Sequence, residues 1–167
     1  MKVPLSENTM TIRRGEEKDM PGINNLLEQV LSVHSTGRPD LFKSNTKKYT
    51  DGELLTILQD DSRPVFVAVD AGGKVLGYAF CVFQQHLGNN IMTDILTLYI
   101  DDLCVDETMR GQHIGRKLYD YVVDFARRKG CYNLTLNVWE CNPSAKKFYE
   151  KCGLVPQKTG MEKILGR

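Results

Sequence analysis

The chain lacks any long apolar run. Nowhere do about 18 apolar residues follow one another, so a membrane-spanning helix is not expected. It also lacks a dominant charge: 22 Lys and Arg stand against 21 Asp and Glu, a formal net charge of +1. That argues against nucleic acid or an anionic membrane as the main partner. Any anion must be held by local geometry. The five cysteines (Cys81, Cys104, Cys131, Cys141 and Cys152) are odd in number and contain no CxxC pair. Zinc ligation needs tight pairs, so no metal is expected, and the pattern fits buried or semi-buried thiols in a reducing cytoplasm. The opening MKVPLSENTMTIRRGEEKDM has no apolar core of a secretory leader. Repeats, low-complexity tracts and Pro/Gly/Ser linkers are missing too.

What is present is an ordinary globular balance: 167 residues, 41% hydrophobic and 26% charged. This length predicts one domain over residues 1–167 with a full-sized core. MTIRRG reads as a first strand. Asp19 looks like a helix N-cap with Pro21 in the first turn, and Ile23, Leu26, Leu27, Val30 and Leu31 recur at helical spacing. TGRP breaks that helix, and a second covers Asp51 to Leu58. PVFVAVDAGGKVLGYAFCVF reads as a hairpin turning at Ala71-Gly72-Gly73. A long strand from Met92 to Val105 follows. An amphipathic helix then presents Ile114, Leu118, Tyr121, Val122 and Phe125 on one face and stops at Gly130. YNLTLNVW alternates as a strand, SAKKFYEKCG is a short helix closed by Gly153, and a last strand is expected within LVPQKTGMEKIL. Helices interleaved with a central sheet make a mixed α/β or α+β domain.

The most informative stretch is VDETMRGQHIGRKL. A helix start leaves about four backbone N–H groups unpartnered, and the helix dipole adds roughly half a positive charge there. Gly111 and Gly115 let the backbone come close to a ligand, and Arg110, His113, Arg116 and Lys117 crowd the same turn. The arrangement suits a phosphate or pyrophosphate. It is neither a Walker A loop nor a Rossmann fingerprint. A plain helix start with surface cations is the competing reading.

A second stretch, LNVWECNPSAKKFYEKCGL, decides between them. Together the two resemble the GNAT superfamily of acetyl-CoA-dependent N-acetyltransferases. The family's R/Q-x-x-G-x-G/A motif is matched by Arg110, Gly111, Gln112, His113, Ile114 and Gly115. Its second motif is matched by Asn142, Ala145, Phe148, Tyr149, Gly153 and Leu154. TIRRGEEKD is similar to the family's usual opening, and the resemblance covers nearly the whole chain. Two departures stand out. His113 replaces a glycine, which costs strain if that position needs a positive φ, and Leu154 replaces a phenylalanine.

The resemblance implies a mainly antiparallel sheet of about six or seven strands, about four helices, and two parallel strands splayed at the cofactor site. It implies direct acetyl transfer from acetyl-CoA to an amine, and it leaves room for a homodimer. Arg110 to Arg116 would hold the pyrophosphate. Backbone groups of Leu103, Cys104 and Val105 would hold the pantetheine arm, with Asn142 and Ala145 contacting the cofactor from the other side. Tyr149 matches the family's general acid for the leaving thiolate. The Cys104 side chain itself reads as packing.

The acceptor must lose a proton. A lysine-like amine has a pKa of about 10.4, so freeing it at neutral pH costs about 4–5 kcal/mol. The candidate bases are Asp101 and Asp102 in YIDDLCV, which strand alternation places on opposite faces. Asp101 resembles the strand carboxylate of polyamine-type members, and an acidic pair attracts a cation. Glu140 is a second candidate. Asn137 occupies the place where N-terminal acetyltransferases carry a glutamate, which disfavours a peptide α-amine. HSTGRPDLFK is expected to connect the first two helices and line the acceptor site: Arg38 and Asp40 as a clamp, His34 as a proton relay. The leading expectation is a cytoplasmic enzyme acetylating a small cationic or polyamine-like amine, with no nucleic-acid or membrane partner. Acetylation of a protein lysine or N-terminal amine, or a non-catalytic acetyl-CoA sensor on the same fold, are the alternatives.

Overall fold

The computed structural model describes residues 9–166. The leaderless reading of the N-terminus falls largely on residues 1–8, outside the described residues. The chain divides into two compact units, Met1–Asn137 and Val138–Arg167.

The first unit holds a five-stranded sheet in the order β1-β2-β3-β4-β5: Thr11–Arg14, Val65–Val69, Val75–Gln84, Thr97–Val105 and Asn133–Leu136. β1 to β4 pair antiparallel and β4 pairs parallel with β5. Three helices accompany it: α1 (Met20–Gly37), α2 (Asp51–Leu58) and α3 (Ile114–Arg128). On one face, Ile23, Leu26 and Leu27 of α1 and Leu54, Ile57 and Leu58 of α2 pack on Val65, Val67, Tyr78, Phe80 and Cys104. On the other, Ile114 meets Ala68 and Leu76, and Phe66 meets the Tyr121 and Phe125 rings edge-on at 5.3 and 4.8 Å. β2 is buried along its length because helices cover both faces.

The α1 start differs from the expected cap. Asp19 occupies the N-cap position but its carboxylate does not cap the helix. It accepts two bonds from the Arg13 guanidinium (2.7 and 3.0 Å) and one from the Glu16 amide (2.8 Å), clasping β1 to α1. Burial raises the Asp19 pKa, but those bonds outweigh it and hold the carboxyl below its usual value.

Two strand expectations change. β4 begins at Thr97 rather than Met92, because Asn89 Oδ1 accepts from the Ile91 and Met92 amides (both 2.9 Å) and folds that stretch into a local turn. Among the described residues no strand forms within Leu154–Leu165, so there are five strands rather than six or seven. Without a ladder, Val155, Met161, Ile164 and Leu165 stand exposed. The second unit contains α4 (Pro143–Lys151), and Gly153 ends it with φ +93°.

Candidate functional site

The β4–β5 register ends at Ile100↔Leu136, yet β4 continues through Val105. Over Asp102–Val105, β4 is therefore paired on its β3 side only. A free strand edge of this kind offers backbone N–H and C=O groups to an extended ligand. Leu103, Cys104 and Val105 lie on it. The Cys104 side chain is buried, and burial pushes its thiol up to about 12, so it packs. Gly77 of β3 lies opposite Val105, where a Cβ would meet the Cys104 carbonyl oxygen at 2.9 Å. The backbones approach too closely there for a side chain.

After β4 the chain makes a short turn, Glu107–Met109, fixed by the buried Asp106. Asp106 Oδ1 accepts from the Thr108 amide (2.9 Å) and hydroxyl (2.8 Å). The Glu107 amide donates to Gln29 Oε1 of α1 at 3.1 Å. Arg110 is extended, Gly111 has φ +85°, and His113 has φ +60° and ψ 18° as the N-cap of α3. His113 thus pays the left-handed strain that the family's glycine avoids, of order 1–2 kcal/mol. Its side chain does not cap the helix, and the first turn contains no acidic residue. The first turn of α3 therefore presents the positive end of the helix dipole with no carboxylate of its own to neutralise it. Gln112 is half-buried and places its amide within reach of Met109 Sδ at 4.0 Å. Arg116 bonds Asp120 at 3.1 Å along the helix, so its head is directed down α3. A helix start without an acidic residue, with Arg110 beside it, is electrostatically suited to an anion.

The acidic pair overturns an expectation. β3–β4 pairing runs Phe80↔Asp102 and then Cys81↔Ile100, leaving Asp101 without a cross-strand partner. This is a β-bulge, and a bulge breaks strict alternation. The two carboxylates do not diverge to opposite faces: Lys48 Nζ lies 3.7 Å from Asp101 Oδ2 and 4.0 Å from Asp102 Oδ2. Asp102 is the more enclosed and accepts the Tyr78 hydroxyl at 2.6 Å. Burial pushes the Asp102 pKa up, against the pull of Tyr78 and Lys48. Tyr78 is pushed well above its usual value, first by burial and then by the Asp102 charge. Burial lowers Lys48, but Asp102, Tyr49 and Asp101 together hold it above its ordinary value. Tyr49 stacks on Phe80 at 6.0 Å, and Phe80 meets Tyr78 edge-on at 4.9 Å, forming an aromatic floor.

His34 sits in the last turn of α1 rather than in a connection, since α1 runs to Gly37. Its ring lies 5.0 Å from Phe42, and burial lowers its pKa despite the opposing charge of Asp102. Arg38 and Asp40 bind each other through two bonds of 2.9 and 2.8 Å around Pro39. They brace the loop instead of standing open as a clamp. Asn137 donates to the Tyr99 hydroxyl at 3.2 Å. Lys48, Tyr49 and Tyr78 were missed in the sequence. Lys48 and Tyr49 lie in a polar loop, Tyr78 in a hairpin strand, and no spacing links them to Asp102.

In the second unit, Asn142 caps α4: its side chain accepts from the Ala145 amide at 3.4 Å and Pro143 follows in the first turn. Tyr149 is half-buried, its ring 5.2 Å from Phe148. Glu140 is exposed and 3.6 Å from Lys146 Nζ.

The model of the Acetyltransferase (GNAT) family matches residues 28–154. The glucosamine 6-phosphate N-acetyltransferase of Arabidopsis thaliana is 35% identical over 158 residues, covering 93% of this chain and 96% of that protein. A crystal structure of a mutant BH1408 protein from Bacillus halodurans superposes with a TM-score of 0.89 at 32% identity, covering 93% of this chain and 99% of that one. The thialysine N-epsilon-acetyltransferase of Mus musculus is 31% identical over 84 residues, 49% of this chain and 45% of that protein.

Proposed function

The chain belongs to the GNAT family of acetyltransferases, and from that premise we propose that it acetylates a small primary amine that enters as its ammonium. It is an acetyl-CoA-dependent N-acetyltransferase; the acceptor and the residue roles are the proposal. The observation that carries it is the convergence of Asp101 and Asp102 beside the unpaired edge of β4. Two carboxylates there attract a cation, and the buried Asp102, with its raised pKa, is suited to take a proton from it. The acceptor named for the Arabidopsis relative, glucosamine 6-phosphate, is likewise a small amine.

Acetyl-CoA supplies an activated thioester. Arg110 and the turn Gly111–Arg116 would hold its diphosphate, and the edge of Leu103–Val105 would align the arm in strand fashion. Asp102, with Asp101 beside it, receives the proton that the attacking nitrogen loses as the C–N bond forms. His34, kept neutral at pH 7 by its lowered pKa, can pass it on. From the second unit the proposal takes Tyr149, on its motif position alone, as the donor that protonates the thiolate when the C–S bond breaks. Asn142 and Ala145 keep their proposed cofactor contacts on the same ground, and Glu140 remains a weaker candidate base. A reducing cytoplasm suits the free thiols, and the resemblance alone supports a homodimer.

The test is thiol release from acetyl-CoA with a panel of small amines. Tyr149→Phe should lose about 10²-fold or more in kcat while still binding acetyl-CoA. Silence of the wild type toward every amine would return the chain to a non-catalytic sensor.

A further inference from the structure

The acceptor side carries more than two carboxylates, and the additional group is a lysine. Lys48 Nζ stands 3.7 and 4.0 Å from the two carboxylates, beyond the 2.7–3.2 Å of an N–H···O bond. It cancels charge without committing a donor to either carboxylate; Tyr49 engages one of the ammonium's three donors. Its side chain is about 41% exposed, so it can be reached from solvent. With His34 neutral, Asp101, Asp102 and Lys48 sum to one negative charge, which a single ammonium balances. In the connection that brings Lys48 here, residues 38–50, Arg38 is paired with Asp40 and Lys47 with Asp51 (2.6 Å), so the cation that faces the acidic pair is Lys48.

We propose that Lys48 determines acceptor specificity, receiving a carboxylate or phosphate of the acceptor while Asp101 and Asp102 receive its ammonium. The substrate class is then a small amine with an anionic substituent, not a polyamine. A polycation would bring a second positive charge against Lys48, with no carboxylate left over for it. This inference rests on the acetyl-transfer reading above and narrows its acceptor.

Matched acceptors differing only in the anion provide the test: lysine against cadaverine, and glucosamine 6-phosphate against glucosamine, followed by thiol release. In at least one pair the anion-bearing member should have a kcat/KM about tenfold higher. Lys48→Met should raise its KM about tenfold while the KM of the anion-free member does not rise, so that the preference within the pair is lost. Lys48→Arg should keep the preference. If Lys48→Met does not fold, as read by circular dichroism, the wild-type ratios and Lys48→Arg decide. Preference for the anion-free member in both pairs overturns the inference, as does equal use of both members in each pair. A lower KM for all four acceptors in Lys48→Met also overturns it, because Lys48 would then be a mere placeholder for the ammonium. Those results leave acetyl transfer standing. No turnover of any of the four removes the small-amine reading, and this inference with it.

Discussion

The loop that opens α3 and the bulge in β4 are close neighbours in the chain and are built in opposite ways. The loop is defined by its backbone: positive φ at Gly111 and His113, an α3 start without a side-chain cap, and a turn held by Asp106. The bulge works through side chains gathered from distant places: Asp101 and Asp102 from β4, Tyr78 from β3, and Lys48 and Tyr49 from the connection before α2. A backbone device is local, so it leaves a motif. A side-chain constellation is non-local, so it leaves none. A motif can spell the first kind of device; the second kind is where members of one fold can differ from one another.

The strongest way to break the comparison is at Asp102. Asp102→Asn keeps a partner for the Tyr78 hydroxyl but removes the proton acceptor. It should lower kcat/KM about 10²-fold, with the Kd for acetyl-CoA unchanged. The pH profile sharpens this. The buried carboxyl of Asp102 is held above its usual value, so it is protonated, and useless as a base, below that raised pKa. Wild-type rates should fall on the acid side at a pH above the ordinary carboxylate range, and Asp102→Asn should lack that limb. An unchanged profile would take Asp102 out of the chemistry.

Next in size is Arg110→Ala, which probes the backbone half. The acetyl-CoA Kd should rise about tenfold at low salt, and the gap should narrow at high salt as the charge is screened. Acceptor preference should not move; a shift in it would show that the two halves are not separate. The smallest effect is expected at His113→Gly. Relief of the left-handed strain, of order 1–2 kcal/mol, is offset by glycine's unfolded-state freedom, roughly 0.5–1 kcal/mol. The urea midpoint should rise by the equivalent of about 1 kcal/mol or less. A fall would mean that the imidazole itself stabilises the turn.

What was legible in the sequence follows the same division. α2 spans Asp51–Leu58 as expected, and Gly73, Gly130 and Gly153 take the positive φ their turn and helix-stop positions call for. Three of the misreadings share one cause, competition by a side chain for a backbone group or for another side chain. Asn89 claims the amides that would have begun β4 early. Arg13 draws the Asp19 carboxylate away from the helix it was expected to cap. Arg38 and Asp40 satisfy each other and so present no clamp.

Hydrophobic period, turn residues and two short motifs were enough, in the sequence alone, for the mixed α/β class, most of the elements, the turn that opens α3 and membership of an acetyltransferase family. Each is written in residues a few positions apart, where chain geometry dictates the neighbours. Only the tertiary structure decided the facing of the Asp101–Asp102 pair and its company. One unpartnered residue in β4 turns both carboxylates toward Lys48, and that register depends on how Phe80 and Cys81 pair across the sheet. Alternation along a single strand carries no trace of a bulge imposed by the partner strand, so no reading of YIDDLCV by itself could supply it.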